Sequence, residues 1–161
     1  MFSQRLNYYT LAPDAYRAMA ALETYLASSS LEKPMQELVK LRASQMNGCA
    51  FCIDMHWKDA RAAGETEQRL YGLSAWEESP YYTERERAAL AWTEALTFIS
   101  RDHAPDAVYE SVRKQFSEKE LADLSWAIAA INAWNRLAIG FRSTPGKYQP
   151  RAHAQKSAVG A

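Results

Sequence analysis

Apolar residues recur at three- and four-residue spacing along almost the whole chain, and strand-like alternation is hard to find. That periodicity restricts the fold to packed helices. The punctuation agrees with it. Pro13 suits a first helical position, because its φ is preset and its missing N–H is unused there. The helix it opens carries Tyr16, Met19, Ala20, Leu22 and Leu26 on one side and ends in Ser28, Ser29 and Ser30. A second helix is expected from about Leu31, with Pro34 in its first turn and Leu38, Leu41 and Met46 on its apolar side, until Asn47-Gly48 breaks the pattern. A third runs from Cys49, or just before it, to Ala63, and Gly64 fits the left-handed position after it. A short helix in "TEQRLYGL" leads to "SAWEESP", a loop or single turn. Thr83 with Glu86, and Ser117 with Glu120, spell two capping boxes ahead of long apolar stripes. Between those two helices Pro105 opens another, ending near Phe116, and Gly140 reads as the stop of the last.

Neither an internal repeat nor a Pro/Gly-rich linker divides the 161 residues, a length that suits one domain. The expectation is therefore a single all-α domain over residues 1–142, a bundle of about six to seven helices. The aperiodic tail, 143–161, is expected to be mobile or to pack on a neighbouring subunit. Nineteen Lys and Arg balance nineteen Asp and Glu, so net charge gives no reason to expect nucleic acid or an anionic membrane as partner. A neutral surface favours association, and an oligomer is expected. The N-terminal "MFSQRLNYYTLAPDAY" lacks the apolar centre of a signal peptide, and no apolar run reaches the ~18 residues of a membrane span. The expected location is the cytoplasm, where a C-x-x-C pair is redox-active or metal-binding more often than a structural staple.

Both cysteines of the chain lie in "MNGCAFCIDMH", three apart, with a histidine four residues after the second. A helix turns ~100° per residue, so Cys49, Cys52 and His56 fall in one stripe of a single face. The Asn47-Gly48 break places Cys49 in the first helical turn. There, unpaired N–H groups and the positive end of the helix dipole favour thiolate. His56, one turn beyond Cys52, can accept or donate a proton. This pattern prepares a thiol for nucleophilic chemistry. A zinc clasp is the alternative, with Cys49, Cys52 and His56 as local ligands and Glu37 as the fourth. Core filling by two small apolar thiols is the third reading.

Glu37 stands twelve residues before Cys49 on the preceding helix, giving E-x11-C-x-x-C-x-x-x-H. With "ELVKLRASQMNGCAFCIDMHWKDAR", "GLSAWEES", "ERAALAWTEALT" and "INAWNR", the chain resembles the AhpD-like alkylhydroperoxidase group of the carboxymuconolactone decarboxylase family over roughly residues 13–142. The resemblance implies a helical bundle assembled as a homo-trimer or homo-hexamer, with a dithiol that reduces organic or hydrogen peroxide. Carried over, Cys52 attacks the peroxide, Cys49 resolves the sulfenic acid, and Glu37 and His56 relay protons. No bound cofactor or metal is implied. The electron donor is a lipoyl-protein or a thioredoxin-like dithiol. There are departures. Phe51 stands where the archetypal peroxidase has a histidine, and the chain is shorter than that two-halved archetype. The name-giving decarboxylases lack the dithiol, so lactone decarboxylation is not expected. A general dithiol–disulfide oxidoreductase or redox sensor is the companion reading. Among other polar groups, Asn132, Asn135 and Arg136 are expected to bond between helices or subunits. Asn132 or Trp134 is the candidate for an access channel.

Overall fold

Nine α-helices and one 3-10 turn make up the described part of the protein, residues 3–150 of a computed structural model. They are α1 (Tyr8–Leu11), α2 (Pro13–Ala27), α3 (Lys33–Asn47), α4 (Ala50–Ala62) and α5 (Glu67–Gly72), then a 3-10 turn (Leu73–Ala75). After it come α6 (Glu84–Thr97), α7 (Ile99–Asp102), α8 (Asp106–Gln115) and α9 (Glu118–Phe141). No strand occurs among the described residues, and no helix there is long and apolar enough to cross a membrane. All seven expected helices are present. The two additional ones, α1 and α7, are single turns of four residues, too short to display a period.

The ends follow the local chemistry of the sequence. Thr83 and Ser117 each accept the N–H of the glutamate three residues on. Glu86 and Glu120 reach back to the cap N–H at 2.8 Å, completing both boxes. Gly64 takes a φ of +97° after α4. Gly140 does not stop the last helix: α9 runs through it to Phe141, and Arg142 adopts the left-handed conformation with φ 58°. The exit is secured instead by the Arg142 N–H on the Ile139 carbonyl and the Ser143 N–H on the Ala138 carbonyl.

Helix α3 is the axis of the fold, packed on α4, α6 and α9. Its residues enter three apolar clusters. Met35 and Val39 join Leu26, Trp92, Phe116, Leu124 and Ile128. Leu38 and Leu41 join Leu70, Leu73, Trp76 and Leu90. Ala43 joins Cys49, Cys52, Ile131 and Ala138. Since α3 is covered on several sides, Gln36, Glu37, Lys40 and Ser44 are buried too, and each finds a partner. Gln36 donates from Nε2 to the carbonyls of Leu26 and Leu31, and Lys40 pairs with Glu23 at 2.6 Å.

The segment after Arg142 does not leave its own chain as far as it is described. Residues 143–150 return along α4. The Gly146 N–H bonds Asp54, the Lys58 ammonium bonds the Gly146 and Tyr148 carbonyls, and the Tyr148 hydroxyl bonds Asp59. The rest of the expected tail, 151–161, lies outside the described residues.

Candidate active site

A one-residue reversal builds the site. Gly48 ends α3 with φ +69°, and the Cys49 N–H returns to the Ser44 carbonyl. No atom lies near the place a Cβ would occupy, so glycine is required by the backbone conformation and not by crowding. Cys49 is thereby delivered as the N-cap of α4, and its sulfur accepts the Cys52 N–H at 3.3 Å. The two cysteines are joined as a disulfide with a Cα separation of 5.3 Å, and each is about 1% exposed. Both sulfurs sit at the positive end of the α4 dipole, which favours thiolate on reduction.

A polar lattice fixes this turn against α9. The Asn47 amide donates to Asn132 Oδ1 and Asn135 Oδ1, each at 2.9 Å. Asn135 donates to the Ser44 hydroxyl, and Asn132 to Thr97 and the Ile128 carbonyl. Asn132, Asn135 and Arg136 thus bond within the chain, from α9 to α3 and α6 and along α9 itself.

One turn along α4 from Cys52, His56 forms a buried acid–imidazole pair with Glu37. His56 Nδ1 is 2.9 Å from Glu37 Oε2. Burial pushes the Glu37 carboxyl up, but the hydrogen bond and charge of His56, with Lys40 and Lys33 beyond, outweigh it. The net effect holds Glu37 below its usual range. An ionised Glu37 accepts, so Nδ1 carries the proton, and in the neutral ring Nε2 keeps the lone pair. Lys40 is anchored by Glu23, whose second oxygen takes the Trp134 Nε1–H at 3.0 Å. Asp59 completes the polar group: one ligand-type atom from each of Glu37, His56 and Asp59 lies within 4.8 Å of the others. The Tyr148 hydroxyl spans both Asp59 oxygens at 2.7 and 3.0 Å.

These groups open on a cavity of about 500 Å³. Cys52, His56, Glu37, Lys40 and Asp59 contribute to its wall, whereas Cys49 does not. Tyr8, Tyr9, Tyr16, Phe51, Met55 and Trp134 supply the apolar part. All four sequence-predicted residues therefore converge. Trp134 lines the cavity as the access reading expected, and Asn132 does not. The zinc reading loses its thiolates in this form, since each sulfur is bonded to the other. Sequence reasoning missed Glu23, Lys40, Asp59 and Tyr148. Two of these carried a signal, because Lys40 follows Glu37, and Asp59 follows His56, by three residues on one helical face. Glu23 and Tyr148 arrive from distant segments and carried none.

The family model described as carboxymuconolactone decarboxylase family matches residues 13–95. The Bacillus subtilis protein YdfG is 48% identical over 137 residues, 85% of this chain and 93% of its own length. A crystal structure from Agrobacterium tumefaciens, of a protein of unknown function proposed as the antioxidant defence protein AhpD, superposes with a TM-score of 0.88 at 49% identity. That match covers 91% of this chain and all of the other. The debrominase Bmp8 superposes with a TM-score of 0.73 at 20% identity over 84% of this chain and 73% of its own, a likeness of fold alone.

Proposed function

This chain belongs to the carboxymuconolactone decarboxylase family, and from that premise and the geometry of its dithiol we propose that it is an AhpD-like hydroperoxide reductase. One observation carries the reading. Cys52 stands in the wall of a cavity shared with the Glu37–His56 pair, and its disulfide partner Cys49 does not line that cavity. An attacking thiol needs access to substrate, whereas a resolving thiol needs access only to its partner.

In the proposed cycle Cys52 gives its proton to the Glu37–His56 pair. The thiolate attacks the terminal oxygen of the hydroperoxide. An S–O bond forms as the O–O bond breaks, and the leaving alkoxide takes a proton back from the pair as the alcohol. Cys49 then gives up its proton and its sulfur attacks the Cys52 sulfenic acid; the S–S bond forms as the S–O bond breaks, and the hydroxide takes a proton in place of the one Cys49 lost and leaves as water. Two electrons have moved from the dithiol to the peroxide. An external dithiol, on a lipoyl-protein or a thioredoxin-like donor, returns them by exchange. The cytoplasm suits that reduction, and a homo-trimer or homo-hexamer is the proposed assembly.

A second reading, a dithiol–disulfide oxidoreductase or redox sensor without peroxidase turnover, is favoured by Phe51. Its ring occupies the position beside Cys52 where a further proton carrier would assist alkoxide departure. The deciding experiment counts thiols on reduced, chelator-free protein before and after one equivalent of an organic hydroperoxide, with metal content read on the same sample. Rapid loss of both thiols with a Cys49–Cys52 disulfide by mass spectrometry supports the reductase. Thiols that resist the peroxide yet are oxidised to the Cys49–Cys52 disulfide by exchange with an external disulfide select the second reading. Intact thiols beside stoichiometric zinc overturn both.

A further inference from the structure

The reaction at Cys52 uses only one corner of its cavity. Hydrogen peroxide has two heavy atoms, whereas a space of about 500 Å³ belongs to the range that encloses a whole organic molecule. The lining is sharply divided. One part is a run of aromatic rings. Tyr8 and Tyr9 lie 4.2 Å apart between centroids, Tyr9 meets Tyr16 edge to face at 5.0 Å, and Tyr16 meets Trp134 edge-on at 5.9 Å. Phe51 and Met55, either side of Cys52 in the chain, add a further ring and a thioether. Burial, with the hydrogen bond from Tyr8, pushes the Tyr9 phenol well above the ordinary tyrosine range, so it stays neutral.

The charged groups of the lining are engaged already. Glu23 holds Lys40 and the Trp134 N–H, Glu37 holds His56, and Asp59 holds Tyr148. An anionic ligand would have to displace Glu23 from Lys40 or Glu37 from His56 to be neutralised. A neutral aromatic body gains offset or edge contacts with the ring wall at no such cost. Tyr16 is 41% exposed, so its ring has surface left to give to a ligand.

We infer that this cavity takes a neutral aromatic substrate body beside Cys52, with Tyr16 and Trp134 as its specificity-determining side chains. Under the proposed function, on which only the kinetic part of this inference rests, the preferred substrate is an aryl-substituted hydroperoxide. The step at sulfur is the one already given: the S–O bond forms, the O–O bond breaks, and the aryl alcohol leaves protonated.

The test has a binding arm and a kinetic arm. In the first, the full chain in its disulfide form is titrated with 2-phenyl-2-propanol and, separately, tert-butanol, followed by calorimetry and saturation-transfer NMR. The aryl alcohol is expected to bind about tenfold tighter, a preference lost in Tyr16→Ala and retained in Tyr16→Phe. In the second, reduced protein meets cumene hydroperoxide, tert-butyl hydroperoxide and hydrogen peroxide in stopped flow. The aryl peroxide is expected to be faster by about tenfold, and Tyr16→Ala to narrow that ratio toward one. Circular dichroism checks that each variant is folded. If the aryl alcohol binds through Tyr16 while no peroxide oxidises the thiols, the aromatic site stands and the peroxidase reading falls. If all three peroxides react alike and neither alcohol binds, the reductase stands and this inference is overturned. A preference that survives Tyr16→Ala overturns it as well.

Discussion

Cys49 and Cys52 share a helix N-terminus but face different surroundings, and that asymmetry sets their expected phenotypes. Cys52 contributes to the cavity wall and Cys49 does not, although both pack in one apolar cluster with Ile131 and Ala138. Cys52→Ser is expected to abolish peroxide-dependent thiol loss. Cys49→Ser should still form a sulfenic acid, which an electrophile trap followed by mass spectrometry detects; the reverse pattern would exchange the two roles. Glu37 makes a second case. Replacing it with Gln removes the anion that orients His56, and the rate of thiol oxidation is expected to fall about 10²-fold or more. The same carboxylate links stability to pH. Its folded value is depressed, so its contribution is fully present above the ordinary glutamate range and is lost as pH falls through the lower folded value. Urea midpoints for the native chain should therefore drop more steeply on acidification below about pH 5 than those of Glu37→Gln. Parallel curves would remove Glu37 from the acid-labile set.

At the scale of the element, the site is a helical hairpin, α3–Gly48–α4, held by α9. Gly48 in the left-handed region should make Gly48→Ala cost about 1–2 kcal/mol in urea unfolding, and the variant should also close the disulfide more slowly, since Cys49 follows the turn. Asn135 is fully buried and bonds both Asn47 and Ser44. Asn135→Ala is expected to cost about 1–3 kcal/mol, because it strips partners from polar atoms that water cannot reach. A fall within about 0.5 kcal/mol of the native value would mean that the lattice is not holding the turn. The hairpin was legible in the sequence. The C-x-x-C, the Asn-Gly break and the histidine one turn on are local signals, and local geometry places them. The burial of Gln36, Glu37 and Lys40 on a helix read as one-sided was not legible. Leu38 and Leu41 announce a single apolar face, and only the approach of α2, α4, α6 and α9 covers the others.

For the whole molecule, the proposed assembly is open to a direct test. Trp126 on α9 is a large apolar side chain left 57% exposed, on a chain of zero net charge. Sedimentation at micromolar concentration is expected to give a trimer or hexamer, and Trp126→Glu to shift it toward smaller species; a monomer throughout would discard the assembly. The cavity is also a property of the whole. Tyr8, Tyr9 and Tyr16 come from α1 and α2, Glu37 and Lys40 from α3 and Trp134 from α9, and together with α4 they surround space that no single helix encloses.

By itself the sequence determined the helical class, the seven principal helices, both capping boxes and the stripe of Cys49, Cys52 and His56. Each depends on interactions spanning three or four residues, which a linear pattern records. It also placed Glu37 with them, through a resemblance in spacing. Only the tertiary structure decided which cysteine meets the cavity, which nitrogen of His56 meets Glu37, and that Glu23, which takes the Trp134 N–H, anchors Lys40. Those facts depend on packing between segments as much as 111 residues apart. Chain-distant contacts leave no period behind, because their partners are chosen by the shape and unsatisfied polarity of the assembled core.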